Sequence, residues 1–473
     1  MHCARTPDGG IEWRMFLSVV FEKFVKKSPV SVMARATMEH ALSAEALDAM
    51  FAKTAVSQYA RDLLFSCVVD LLGVVVSKVQ PSVHAALQAV VDTLPVSVTA
   101  FYDKLNGTEP VVTAALVTHT GARLAPVIAA TGGQLPALLP GYRVRIIDGN
   151  HLAATERRLE VLRGSVAGPL PGHALVVLDP SLMLATHMIP CEDAHAQERS
   201  LSSSILALVA ANDVWVADRN FCTRCLLFGI AARFAFFVIR HHANLTLTPI
   251  TALRLCGRTD TGQVYEQLVT ICDDAGELLT IRRVLLRLNK PTRDGDTEMS
   301  ILTNLPEEAA AAVVVANLYA KRWTLETLFQ SLTQMLEAEI NTLGYPRAAL
   351  LGFAIGLATY NILSTIQASL RGAFGIEKVN TEVSGFYIAN EIRGTAMGMS
   401  IAIEDVAWES FRTMNSSVFA HLLVRWAAGA DLRKFKRHVR GPKTAVPKRT
   451  RFADKTHVST ARLLAAAKEK RSP

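Results

Sequence analysis

Three carboxylates carry the chemistry open to this sequence. Asp148 stands in IIDGN and Asp218 in VADRN, each directly after an apolar run, and Glu326 stands in LYAKRWTLETLFQSLTQML. An acid just past a buried strand is held rigidly at the edge of a sheet yet still meets solvent, which is where a hard cation binds. Around Glu326, steps of three and four put Tyr319, Arg322, Trp323, Gln330 and Thr333 on one helical face. Leu318, Leu325, Phe329, Leu332 and Leu336 make a second, apolar face suited to lie on a sheet. Three such carboxylates can hold two Mg²⁺ or Mn²⁺ ions roughly 3.5–4 Å apart, one activating an attacking oxygen and one stabilising a leaving oxygen. That is phosphoryl transfer without a covalent enzyme intermediate. Each residue also has an ordinary use. Strand-end aspartates serve turns and helix caps, and Arg322 with Glu326 makes a surface pair, though in the less favourable order for one.

Other groups give weaker patterns. Cys222 and Cys225 form a CxxC without a second pair or well-spaced histidines, so they read as thiols. His241 and His242 read as a surface turn. Asp179, in VVLDP, closes a strand with Pro180, and Cys191-Glu192-Asp193 is a rival acidic segment. No glycine-rich GxxxxGK[ST] loop is present, so ATP use is not implied.

The elements that must position the three acids follow from periodicity. Residues 142–148, 174–178, 184–189, 214–217 and 234–240 read as strands, with helices at 197–211 and 223–232. Three strands, a helix, a strand, a helix and a strand is the order of a ribonuclease-H-like α/β core. Residues 244–305 alternate as an all-β insertion, with a hairpin turning at Asp273-Asp274-Ala275-Gly276. The next helix is expected to start near Pro306 and to run toward Glu339, with a break near Ala316. Before the core, residues 13–27, 43–54, 59–79 and 82–93 read as helices. The expected division is a helical domain over 1–105, a catalytic core over 140–243 and 306–372, the β-rich insertion, a helical region over 373–430 and a basic tail over 431–473.

Charge and apolar runs bound the setting. The chain of 473 residues carries +8 overall; residues 431–473 hold 14 Lys+Arg against 3 Asp+Glu, a net of +11, which leaves −3 for the rest. That stretch, including Arg433, Lys434, Lys436 and Arg437, can contact phosphates and release counterions. Residues 1–100 balance 9 basic against 9 acidic residues. The apolar run 348–370 is long enough to cross a bilayer, but Thr359, Asn361, Ser364, Thr365, Gln367 and Ser369 within it favour a buried core helix. Seven scattered cysteines and a start without a secretory pattern point to a reducing cytoplasm.

IIDGN, VADRNF and Tyr319-x-x-Arg322-x-x-x-Glu326 together resemble the signature regions of the insertion-sequence-four type of DDE transposases, cut-and-paste enzymes of bacterial mobile elements. Trp323 and a β-rich insertion between the second Asp and the Glu agree with that family, and the resemblance covers about residues 140–370. It implies a ribonuclease-H-like fold, two divalent cations on Asp148, Asp218 and Glu326, and binding of double-stranded DNA at the terminal inverted repeats of the element. It also implies strand cleavage and transfer, a homodimer on paired ends, a hairpin on the excised end, and a nucleoid-associated location without a membrane. Arg322 is expected at phosphate, with Tyr319 and Trp323 positioning the DNA. Thr333 departs from the family, which has Lys seven residues after the Glu. That departure keeps open a catalytically inactive, DNA-binding derivative.

Overall fold

The computed structural model describes residues 2–5, 11–14, 18–58, 62–292, 295–438 and 456–470. The centre is one mixed sheet, built from β1 (Arg143–His151), β2 (His173–Asp179), β3 (Leu184–Cys191), β4 (Asp213–Ala217), β5 (Phe236–Arg240), β6 (Arg254–Thr259), β7 (Gly262–Cys272), β8 (Leu278–Leu288) and β9 (Glu298–Thr303). Their order across the sheet is β6-β7-β8-β9-β5-β4-β1-β2-β3. β1, β4 and β5 run parallel, and β2 and β3 are antiparallel additions at one side. Parallel strands are covered on both faces, which is why β4 reads VWVA without a polar gap and is buried throughout.

Alternation sorts the core side chains into two layers. Ile146, Val176, Val214, Val216 and Val238 face the long helices α1 (Pro110–Ala130) and α4 (Pro346–Phe374), while Ile147, Leu175, Trp215, Phe237 and Ile239 face short helices carrying Ile205, Leu226 and Ile230. The β-rich residues after β5 do not form a separate layer. β9 pairs with β5, so 244–305 lengthen the same sheet. The hairpin expected at residues 273–276 is present, with Cys272 paired to Leu278 and Gly276 at φ +86°. Buried Arg282 donates to Glu266 (2.8 Å) and to the carbonyls of Leu305 (2.9 Å) and Ala310 (2.8 Å), which ties this extension to the chain entering the next helix.

Several boundaries differ from the periodic reading. β1 does not stop at Asp148, because Gly149, Asn150 and His151 continue the pairing with β2. The helix expected from near Pro306 begins at Ala312 and is split into α2 (Ala312–Ala320) and α3 (Trp323–Gln334). The break lies at Lys321 and Arg322, not at Ala316, and three-residue hydrogen bonds tighten it: Lys321 to Leu318 and Arg322 to Tyr319, both 3.0 Å. The expected helix 197–211 is a 3₁₀ turn (Glu198–Leu201) followed by Ser202–Leu206. At the N-terminal side, Ile11–Arg14 pairs as a strand with His2–Arg5, the first helix is Val19–Lys27, and the start of the expected helix 59–79 lies outside the described residues. In the basic segment, 439–455 lie outside the described residues. His457–Ser459 pairs in parallel with Gly168–Leu170, and Thr460–Glu469 is helical, so residues 457–469 are docked. Asp193 fixes it there, accepting from Arg462 and Ser459 at 2.8 Å each.

The apolar run 348–370 lies inside α4, which is buried along nearly its whole length as the core helix the polar residues suggested; α1 also has the length and apolar character of a span and is half buried. Asn361, fully buried on α4, binds edge strand β3 at two points: its Oδ1 accepts from the Ala185 N–H and its Nδ2 donates to the Ala185 carbonyl, both at 2.8 Å. An Asn361→Leu change keeps the bulk and strands both backbone groups, so a loss of about 2–5 kcal/mol in stability is expected. Urea unfolding of the two proteins checks it; a loss under about 1 kcal/mol would show that other contacts anchor the strand.

Candidate active site

β1 and β4 are parallel neighbours with Ile146 opposite Val216. Two residues further along each strand come Asp148 and Asp218, so the acids stand level on adjacent strands. Asp148 is within β1, and Asp218 is the first residue past β4, leading into a 3₁₀ turn (Arg219–Phe221). Over this end of the sheet run α2 and α3. α2 lies across β5 to β9, α3 packs on β1, and Leu318, Leu325, Leu328 and Leu332 are buried beneath them. The split between the helices puts Arg322 at the junction and Glu326 in the first turn of α3.

Arg322 is the hub. Its Nη1 donates to Asp148 Oδ2 at 2.6 Å and its Nη2 to Glu326 Oε1 at 2.8 Å. The Arg322 and Asp148 side chains are 13% and 15% exposed, and Glu326 is 45% exposed. Burial pushes the Asp148 carboxyl up to about 6. Arg322 and the Gly149 N–H, at 2.9 Å, oppose that shift, while Glu198 and Asp218 add to it. Tyr319 is 4% exposed, and burial, then the charge of Asp218, drives its phenol up to about 12. It therefore faces inward beside Arg322, whereas Trp323 is half exposed. Thr333 spends its hydroxyl on the Gln330 carbonyl of its own helix (3.1 Å).

One acid here carried no sequence signal. Glu198, in the 3₁₀ turn after β3, accepts from Asn220 Nδ2 at 3.2 Å, and its charge acts on Asp148 and is acted on by Asp218. Its stretch, QERSL, matches no motif, and only the folded sheet brings it to the other acids.

The remaining candidates have structural employment. Burial pushes the Cys222 thiol up to about 11, Cys225 is exposed, and His241 bonds the Leu245 carbonyl (2.8 Å) while His242 Nδ1 accepts from Asn244 N (3.1 Å). Asp179 pairs with Arg145 (2.9 Å) and caps the Ser181 turn, and Glu192 pairs with Arg347 (3.0 Å). Of the basic residues, Arg433 is exposed and paired with Asp431 (2.8 Å), Lys434 reaches the Lys27 carbonyl (3.4 Å), Arg437 donates to the Val383 carbonyl (3.1 Å), and Lys436 is exposed. None of them lies with the three acids in sequence or in these contacts.

The donor chemistry fits a hard divalent cation. Asp148, Asp218, Glu198 and Glu326 offer carboxylate oxygens, and the buried charge of Asp148 needs a positive partner, a need that Arg322 meets here. Among the described residues no three His, Cys, Asp or Glu side chains converge closely enough to hold one ion, and Glu326 is paired with the guanidinium.

Residues 140–362 match the family model described as Transposase DDE domain. The protein printed as "Putative transposase y4zB", of Sinorhizobium fredii (strain NBRC 101917 / NGR234), is 28% identical over 168 residues, covering 34% of this chain and 44% of that protein. The chain thus spans less than half the length of the curated relative it matches. The level aspartates of β1 and β4, the Arg322 junction and Glu326 all fall within a stretch that is similar to the transposase DDE domain.

Proposed function

We propose that this protein is a DDE transposase that binds the terminal inverted repeats of its own element, cleaves the DNA strands and joins the freed ends to target DNA. One observation carries the reading: Asp148 and Asp218 stand level on parallel strands, and Arg322 links Asp148 to Glu326 inside the matched stretch. The order β3-β2-β1-β4-β5 supports a ribonuclease-H-like core. The Tyr319, Arg322 and Glu326 spacing, with the β-rich residues 244–305 between the second Asp and the Glu, supports the insertion-sequence-four type.

Asp148, Asp218 and Glu326 are the residues that would hold Mg²⁺ or Mn²⁺. When bound, such ions activate the attacking oxygen and stabilise the leaving 3′-oxygen. The rest falls to the chain itself. Without DNA, Arg322 neutralises two acids that would otherwise repel each other across the junction. A DNA phosphate offers the same guanidinium an alternative bidentate partner, so substrate arrival and release of Glu326 are coupled through one side chain. Buried Tyr319 holds Arg322 from behind. Half-exposed Trp323 presents a ring to the DNA. Arg433, Lys434, Lys436 and Arg437 add phosphate contacts away from the acids. A homodimer on paired ends and a nucleoid-associated, cytoplasmic location complete the proposal.

Cleavage of a duplex carrying the gene's flanking ends, with Mn²⁺, tests it. Glu326→Gln removes a ligand and is expected to slow cutting by about 10²–10⁴-fold while duplex binding persists. Wild-type binding without any cutting would sink the enzyme reading and favour an inactive DNA-binding protein, consistent with Thr333 in place of Lys. The rate should also depend on pH in a set direction. Asp148 is protonated below about 6 and then holds no cation, so cutting rises with pH through about 6 and levels off above it. A rate flat from pH 5 to pH 8 would show that Asp148 does not need to ionise for the reaction.

A further inference from the structure

Alternation along β1 puts Asp148 and Asn150 on one face of a strand against which α3 packs. Asn150 meets a residue that follows α3: its Nδ2 donates to Glu339 Oε1 at 3.0 Å, and Glu339 Oε2 accepts from the Ala153 N–H at 3.2 Å. Glu339 stands in the link between the end of α3 at Gln334 and the start of α4 at Pro346. That link is itself anchored. Ala338 and Ile340 are buried, the Glu337 N–H donates to the Val76 carbonyl, and the Asn341 carbonyl accepts from the Glu156 N–H, both at 2.8 Å. β1 is thus joined to the chain before α3 through Arg322, which bonds Asp148 and Glu326, and to the chain after α3 through Glu339. A phosphate treats the two links differently. The guanidinium can exchange its carboxylates for a phosphate, whereas the Glu339 carboxylate offers an anion no donor, so the second link stays when the first is drawn off.

We infer that Glu339 is a positioning residue of this site: through Asn150 and Ala153 it holds the Asp148 end of β1 at a set spacing from the helix that carries Glu326 once DNA draws Arg322 away. The inference rests on the metal-dependent reading above and deepens it. The role calls for acceptor oxygens and not for a charge. An amide in place of the Glu339 carboxylate keeps an acceptor for the Ala153 N–H and, with the Asn150 amide turned round, a bond to that side chain.

The test compares the full chain of wild type, Glu339→Met, Glu339→Gln and Asn150→Ala in two measurements. One is cutting of the flanking-end duplex with Mn²⁺; the other is amide exchange over residues 149–155, read by mass spectrometry on the metal-free protein with that duplex bound. Glu339→Met and Asn150→Ala are expected to lower kcat about 10–100-fold at unchanged KM and to speed exchange at the strand end, while Glu339→Gln cuts and exchanges as wild type does. Should Glu339→Met lose its cooperative melt, Asn150→Ala carries the test from the strand side. If wild type cuts and Glu339→Met cuts and exchanges as wild type does, the positioning role is overturned and the metal-dependent reading stands. Glu339→Gln as slow as Glu339→Met overturns it as well, because the charge and not the placement would then be what the reaction needs. Wild type that binds the duplex without cutting takes both down.

Discussion

A carboxylate set inside a strand and covered by helices stays charged only with a cation against it, and much of this fold serves that requirement at Asp148. The cation is Arg322. It stands at the junction of α2 and α3, from which it donates to Asp148. A single unbroken helix would keep Tyr319, Arg322 and Glu326 on one stripe, all facing the same way. The break lets Tyr319 turn inward and Glu326 outward, with the guanidinium between. Anchoring that break requires both helices to lie firmly on the sheet, which the buried leucines and the Arg282 links from β8 to Leu305 and Ala310 provide.

The sheet extension has a role in the same arrangement. By pairing β9 with β5, residues 244–305 continue the platform on which α2 rests, so the helix that delivers Tyr319 is supported by the core and the extension together. On the opposite edge β3 would expose unpaired backbone groups. α1 covers it, and the Asn361 amide on α4 bonds Ala185 as a neighbouring strand would.

What was legible in the sequence divides along physical lines. The strand runs at 174–178, 184–189 and 214–217 are visible because buried strands in a covered sheet are continuously apolar, and α4 reads as a core helix because its polar residues find partners inside. Asp148, Asp218 and Glu326 stand out through flanking apolar runs and helical spacing, both local signals. The split at Lys321 was not visible, since no proline or glycine marks it, and the partner of Arg322 at the junction, Asp148, lies 174 residues earlier. Glu198 was hidden for the same reason. Its place is set by Gly149 and Asn220, which approach it only once β1 and β4 lie side by side. The extension of the sheet by 244–305 follows from the β5 and β9 pairing, a choice of partner that alternation alone does not specify.

The docking of residues 457–469 changes what the described part of the basic stretch can be. Leu432–Phe435 is packed through buried Phe435, and His457–Ser459 is paired with Gly168–Leu170. Arg433, Arg437 and Arg462 are each tied to a neighbouring oxygen. A polyanion meeting these side chains finds charges already gathered on the body of the protein, so little ordering is left for binding to impose.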